Sequence, residues 1–160
     1  MTAAEREYLI RRYEAGPRLL REALAKVPVV AMQWRPGAGK WSAHEVVCHC
    51  ADSETVSSTR IRFLVGEDRP TILGYDQDRW AANFDYHALP LEPSLAQIDA
   101  VRAWTTALIR GLPEAAWARE GTHSEMGRYT AEMWLKLYAE HLEVHARQVE
   151  RNAEAWKKKR

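Results

Sequence analysis

Residues 130–152, TAEMWLKLYAEHLEVHARQVERN, read as one continuous amphipathic helix that begins at an N-cap threonine. Residues separated by steps of four and three share one face, which is expected to point into the protein interior. That face consists of Trp134, Tyr138, His141, His145, Gln148 and Asn152. The first two are aromatic and the last four are polar. Because a buried polar group without a partner costs about 1–3 kcal/mol, four in succession require solvent, a hydrogen-bond network or a metal ion.

Such a long buried face needs partner helices, and the sequence predicts two of them upstream. The first begins at a capping box, residues 2–5, and is expected to kink, without stopping, at Gly16-Pro17. The second begins at Ser42, which with a glutamate three residues later forms another capping box, and runs to about Val65.

The remaining segments are less periodic. Residues 66–93 show neither helical nor strand periodicity and are predicted to be a long, functionally relevant loop. A third helix is expected after Ser94, ending at Gly111. Residues 113–119 read as one or two helical turns, and residues 122–130 read as a turn or a short hairpin.

Four helices without strand alternation predict an all-α protein, a four-helix bundle with a long loop between helices 2 and 3. The length of 160 residues favours one domain spanning residues 1–160. Apolar residues make up 46% and charged residues 28%, which is typical of an ordinary soluble globular protein.

Charge and hydropathy exclude several classes of protein. The net charge of +1 gives no field of one sign, so nucleic-acid binding is not expected. The basic run WKKKR, residues 156–160, is explained as a solvated helix end. Because there is no signal peptide and no long apolar run, neither secretion nor membrane insertion is expected.

The two cysteines, Cys48 and Cys50, would point about 200° apart on a helix and therefore cannot form a disulfide with each other. Free thiols predict a cytoplasmic protein. Cys48 lies one turn after His44, but no partner for this pair is evident, so both are expected to be surface or core residues.

The histidine pair on the last helix is the candidate metal site. His141 and His145 would lie about 40° apart around the helix, so both rings can reach one ion. Glu143, about 200° from His141, faces away, which excludes the metalloprotease arrangement. The pair alone is a weak signal, because a polar seam or a subunit contact would also explain it. In the run Cys-His-Cys at 48–50 only one residue can face the site; His49 is the choice, giving the three-ligand arrangement of catalytic zinc.

Three segments resemble one known family, the DinB/YfiT-like metalloenzymes: GKWSAHEVVCHCADSE (39–54), RPTILGYDQDRW (69–80) and THSEMGRYTAEMWLKLYAEHLEVHARQVER (122–151). Their order and spacing match over nearly the whole chain. The resemblance implies a four-helix bundle in which His49, His141 and His145 bind a divalent metal ion. Cys50 departs from the family's usual leucine and is expected only to fill space.

The resemblance implies a metal-dependent enzyme, and a hydrolase is the first expectation. Zinc or nickel is the expected metal, since imidazole suits both, and an open position would hold an activated water. A low-molecular-weight thiol S-transferase using bacillithiol, mycothiol or glutathione is the alternative, because the metal would equally hold a thiolate. A non-catalytic metal-binding stress protein or ligand carrier is the third possibility. The substrate is expected to be a small molecule, and a site of charge +2 favours an anionic ligand.

Two carboxylates and an amide are candidates for supporting roles. Glu45, one turn before His49, is the candidate general base, although its capping-box position explains it at least as well. Asp52, one turn after His49, would fix a ligand histidine or else form a salt bridge with an arginine. Gln148, one turn beyond His145, would bond a ligand or a metal-bound water.

The long loop and the last turn supply candidate pocket residues. Asp76, Asp78 and Trp80 are expected at the pocket mouth, with ordering of the loop as the alternative. His123 is a further pocket candidate, and His87 is assigned no role.

The aromatic content predicts a homodimer. Seven tryptophans and six tyrosines are more than one small core readily hides, and aromatic residues are enriched at interfaces. Members of the resembling family are also commonly dimers. We therefore expect two copies to join through helix faces.

Overall fold

The computed structural model describes residues 1–159; the last residue of the basic run, Arg160, lies outside the described residues. The helices are α1 (Ala3–Leu24), α2 (Ala43–Gly66), α3 (Gln77–Asn83), α4 (Leu91–Arg110) and α5 (Ala131–Lys158). The strands are β1 (Thr71–Ile72), β2 (Glu120–His123) and β3 (Gly127–Thr130). Two 3₁₀ turns, Val29–Ala31 and Glu114–Ala118, complete the architecture.

The four long helices form the predicted bundle, in which α1 packs on α5 and α4, and α2 packs on α4 and α5. The expected caps are present. Thr2 and Ser42 each accept the backbone N–H of a glutamate three residues later, whose carboxylate bonds back to the cap backbone. Thr130 accepts from the backbone N–H of Met133 and begins α5. Helix α1 continues through Pro17, as the sequence predicted.

The segment predicted as a loop, residues 66–93, contains regular structure. It holds β1 and the short helix α3, which Asp76 caps by accepting the backbone N–H of Arg79 at 2.9 Å. Helix α4 begins at Leu91, earlier than predicted, because Pro93 falls in its first turn, where a missing N–H breaks no intrahelical bond. The expectation that a helix starts only after Ser94 is therefore corrected.

A small three-stranded sheet contacts α2 and α5 of the bundle. Strands β2 and β3 form an antiparallel hairpin, which is one of the two alternatives, turn or hairpin, that the sequence predicted for this segment. Strand β1 pairs in parallel with β2. Gly121 of β2 lies directly against Pro70, and any side chain there would overlap the proline carbonyl. This contact fixes residues 70–72 beside the hairpin. Across residues 1–159, no helix is sufficiently long and apolar to cross a membrane.

The interior contains three apolar clusters, and the two larger ones follow one another along α2 and α5. Cys50 of α2 and Leu142 of α5 belong to one cluster, whereas Ile61 and Tyr138 belong to the other. The residues between these positions on α2 and α5 include polar side chains that are buried. His141 lies in this polar layer, whereas His49 and His145 flank it on the side of the first cluster.

Candidate metal centre

Three histidines from two helices meet beside the polar layer. His49 comes from α2, and His141 and His145 come from consecutive turns of α5. Each histidine offers one ring nitrogen, and these three nitrogens all lie within 4.8 Å of one another. The ring centroids of His49 lie 5.5 Å from His141 and 4.8 Å from His145. The structure therefore brings together the three residues that the sequence selected.

His49 and His145 are held as uncharged imidazoles. His49 is only 2% exposed, and burial together with the two neighbouring histidines lowers its pKa to about 2. Burial and the neighbouring His141 lower the pKa of His145 to about 4. Neutral rings have a free lone pair, which is the form that binds a divalent metal ion.

Gln148 orients His145. Its Oε1 lies 2.9 Å from His145 Nδ1. An amide oxygen only accepts, so Nδ1 carries the hydrogen and the lone pair of Nε2 remains available to a ligand. This is the contact through which proteins fix the tautomer of a metal-binding histidine.

Glu54 supports His141 and was not selected from the sequence. Its Oε1 lies 3.7 Å from His141 Nδ1, while His141 Nε2 lies 3.3 Å from the hydroxyl of Ser53. Glu54 is fully buried and binds Arg102 through two hydrogen bonds of 2.6 Å. Arg102 and the nearby His141 hold the pKa of this carboxyl below its usual range, although burial alone would raise it. The sequence does contain an indication of this role, because Glu54 follows Cys50 by one helical turn and is therefore a charged residue on the buried face of α2.

The residues fit a divalent metal ion. Nδ1 of His49 is buried without a hydrogen-bond partner within the described chain. Three nitrogens around one tetrahedral zinc would lie about 3.4 Å apart. Side-chain rotations that move the nitrogens by about an ångström would therefore complete the site. Three imidazoles with no bound carboxylate form a borderline-soft donor set, which suits zinc or nickel and not magnesium or calcium.

A cavity of about 180 Å³ opens beside the cluster. Its polar wall includes His49, Arg60, Tyr75, His123, Tyr138 and His141. His123, a candidate from the sequence, is 4% exposed, and burial and Arg60 lower its pKa. Tyr75 and Arg60 were not selected from the sequence, because their relation to the histidines depends on how the loop folds over α2.

The three other loop candidates do not line this cavity. Asp76 caps α3, and Trp80 stacks on Tyr75 with ring centroids 4.3 Å apart. Trp80 therefore packs on Tyr75, which lines the cavity. Asp78 lines a separate cavity of about 280 Å³ that also contains Glu45.

Glu45 is fully engaged by neighbouring groups. It accepts from the Ser42 backbone at 2.9 Å, forms a two-pronged ion pair with Arg35, and lies 3.4 Å from His87 Nε2. Burial alone would raise its pKa, but Arg35 and the Ser42 backbone lower it to about 2. His87 also contacts the Ser42 hydroxyl at 2.8 Å, so this histidine takes part in the helix cap.

The other residues considered from the sequence anchor the segment before α4. Asp52 accepts a 2.6 Å hydrogen bond from the Tyr86 hydroxyl and does not contact a histidine of the cluster. His44 lies 2.8 Å from the carbonyl of Leu89 and is 8% exposed. Cys48 is buried, and its thiol donates to the carbonyl of Tyr86. His44 and Cys48 are thus core residues, one of the two placements expected for them.

Known proteins share this fold and sequence pattern, and they define the class of protein to which the chain belongs. The sequence model of the DinB superfamily matches residues 12–149. The fold is similar to that of YfiT from Bacillus subtilis, described as a probable metal-dependent hydrolase with an unusual four-helix bundle topology. That similarity has a TM-score of 0.91 at 25% identity and covers 98% of this chain and 90% of YfiT.

Two bacterial relatives agree with this class. A protein of Oceanobacillus iheyensis, named "Putative metal-dependent hydrolase OB0782", is 30% identical over 136 residues, which cover 85% of this chain and 78% of the relative. A protein of Geobacillus kaustophilus, named "Putative metal-dependent hydrolase GK0616", is 36% identical over 115 residues, covering 69% of this chain and 63% of the relative. The chain belongs to the DinB superfamily, which confirms the resemblance and the predicted fold class.

Proposed function

We propose that His49, His141 and His145 bind one divalent metal ion, zinc or nickel, and that the protein is a metal-dependent hydrolase of a small molecule. The observation that carries the proposal is the approach of three ring nitrogens to within 4.8 Å, one from a buried and two from half-buried histidines. Two of these histidines, His49 and His141, also line the neighbouring cavity, so a bound molecule would reach the same place.

The chemistry follows from the donor set. A divalent ion held by three imidazoles would keep a coordination position open and lower the pKa of a water bound there to about 7. Gln148 keeps His145 in one tautomer, and Glu54 lies beside His141 Nδ1, where it favours a hydrogen on that nitrogen. The names of the relatives from Oceanobacillus and Geobacillus support the hydrolase assignment.

Metal content is the first test. We expect about one equivalent of zinc or nickel, measured by elemental analysis, in protein purified without a histidine tag. The double variant His141→Ala, His145→Ala should lose it, whereas His87→Ala, which changes a histidine outside the cluster, should retain it. Equal metal content in all three proteins would rule out the assignment.

The reaction is tested with panels of esters and amides. We expect turnover by the metal-loaded protein without added thiol. Conjugation of an electrophile only when bacillithiol, mycothiol or glutathione is present would instead make the protein a thiol transferase. Binding of small anions without turnover of either kind would favour the carrier.

We also propose a homodimer. Several large apolar side chains on the surface are exposed, among them Phe63 (46%), Leu73 (70%) and Trp104 (69%). Phe63 and Leu73 line one shallow apolar cavity of about 310 Å³. A monomeric mass in light scattering at micromolar concentration and above would reject the dimer.

Two broader expectations complete the proposal. Cys48 and Cys50 are both buried and free, which supports a location in the reducing cytoplasm. The single bundle, whose elements extend from Ala3 to Lys158, supports one domain over residues 1–160. One cooperative unfolding transition, seen equally by far- and near-ultraviolet circular dichroism, is the expected result.

A further inference from the structure

We propose that Arg60 and His123 form an anion-binding subsite in the cavity beside the histidine cluster, and that the ligand of this cavity is a small molecule bearing a carboxylate. The identification of this ligand as a substrate rests on the proposed function. The binding of a carboxylate in the cavity is independent of that function.

The first observation is a buried cation whose hydrogen-bonding capacity is only partly used. Arg60 is 9% exposed, and its Nη1 and Nη2 donate to the hydroxyl of Tyr138 at 3.0 Å and to the carbonyl of Leu73 at 2.6 Å. Its Nε is buried without a partner in the described chain. No carboxylate oxygen of residues 1–159 forms an ion pair with Arg60 within 4.0 Å. A buried charge without a counter-ion is costly, so a ligand that brings a negative charge is favoured here.

Arg102 shows how this fold treats a buried arginine with a structural role. Its guanidinium donates to both oxygens of Glu54 and to the carbonyls of Tyr13 and Tyr138. All three of its nitrogens are bonded and its charge is paired. Arg60, in contrast, has one nitrogen without a partner and no carboxylate paired with its charge, although both arginine side chains are buried.

The second observation is the tautomer of His123. Its Nδ1 accepts the backbone N–H of Glu125 at 3.2 Å, so the neutral ring carries its hydrogen on Nε2. Nε2 is therefore a donor, on a side chain that lines the same cavity as Arg60. A guanidinium and a ring N–H together are donors without acceptor capacity, which suits a carboxylate.

The dimensions of the cavity restrict the ligand. Its volume of about 180 Å³ equals that of roughly six water molecules, so it admits a small organic acid but not a polymer. Glu125 also lines the cavity, but its carboxylate lies over Gly74 and its side chain is exposed. Because His49 and His141 form part of the same wall, a ligand anchored at Arg60 would present its other end to the cluster.

The test compares butyrate with its neutral analogue butyramide by isothermal titration calorimetry. Both are titrated into tag-free protein, once loaded with zinc and once treated with a chelator. We expect butyrate to bind more tightly than butyramide in both forms. Arg60→Met should weaken butyrate binding by about tenfold or more, the value of one charged hydrogen bond, and leave butyramide unchanged.

Arg62→Met is the matched control. Arg62 lies two residues further on α2, also has a buried nitrogen without a partner, and contacts Ser58 and Thr105 instead of the cavity. It should keep the preference for butyrate. If Arg60→Met does not fold, as judged by circular dichroism, Arg60→Gln carries the test, since its amide can still donate to the Leu73 carbonyl while the charge is gone.

The outcomes separate this inference from the proposed function. A preference for butyrate that survives in the folded Arg60 variant overturns the subsite, and the metal assignment is then judged by metal content alone. An Arg60-dependent preference in protein that never binds zinc supports the subsite and rejects the hydrolase. A preference that disappears with the metal and ignores Arg60 assigns anion binding to the metal and also overturns the subsite.

Discussion

Glu54 and Arg102 form a fully buried, two-pronged ion pair between the two larger apolar clusters of the bundle, with both hydrogen bonds at 2.6 Å. The pair joins α2 to α4, and the same carboxylate lies beside His141 of α5. One carboxylate thus links the packing of three helices to the candidate metal site.

Breaking this pair should destabilise the fold severely. Arg102→Met leaves the charge of Glu54 buried without a counter-ion, which costs about 3–5 kcal/mol in the free energy of unfolding, measured by urea denaturation. The double variant Glu54→Gln, Arg102→Met carries no buried charge and should recover part of the loss. A single variant within about 0.5 kcal/mol of the parent protein would contradict this account.

Loss of Gln148 should weaken metal binding without affecting the fold. Gln148→Ala removes the acceptor for His145 Nδ1, so zinc affinity should fall about 10–100-fold in a chelator competition assay. Gln97→Ala is the control, because Gln97 is an exposed glutamine of α4 whose side chain donates to the Thr55 hydroxyl. Equal affinities in the two variants would show that the Gln148 contact does not tune the site.

Gly16 is expected to tolerate no side chain. A Cβ at this position would lie 2.9 Å from Leu142 Cβ, where α1 crosses α5, so Gly16→Ala should cost about 1–3 kcal/mol of stability. Gly66→Ala is the matched control, since nothing lies within 4 Å of a Cβ there. The control should be neutral or stabilising by up to about 1 kcal/mol. Thermal unfolding of both variants distinguishes a helix contact from a general effect of glycine replacement.

Glu45 should contribute to stability in a pH-dependent way. Its folded-state pKa, lowered to about 2, lies below its ordinary value of 4.5, so the contribution is complete above pH 4.5 and is lost as the pH falls towards 2. Glu45→Gln should therefore cost about 1–3 kcal/mol at pH 7 and progressively less between pH 4.5 and 2. The measurement is urea denaturation over this range.

The surface variant Glu22→Gln is the control for that series. Glu22 pairs with Arg18 in a largely exposed ion pair, so its replacement should change stability by less than about 0.5 kcal/mol at any pH. A difference between Glu45→Gln and the parent protein that does not change with pH would mean that the carboxylate acts only through packing.

Local patterns predicted most of the helices. The two capping boxes and the Thr130 cap are short-range interactions between residues three apart, so their presence follows from the residues themselves. The start of α4 was misplaced because a proline is compatible with the first turn of a helix as well as with the chain before it. Strand β1 could not be predicted, since two residues gain their pairing only from the distant β2.

The sequence by itself determined the helical bundle and the choice of His49, His141 and His145, because helical periodicity places residues on one face without any knowledge of the partner. Only the tertiary structure decided what surrounds them. Glu54 meets Arg102 across 48 residues of chain, and Arg60 faces the cavity only because the segment before α3 folds over α2. Such contacts depend on how helices cross and how loops close, and these are set by the packing of the whole chain and not by the spacing within any one segment.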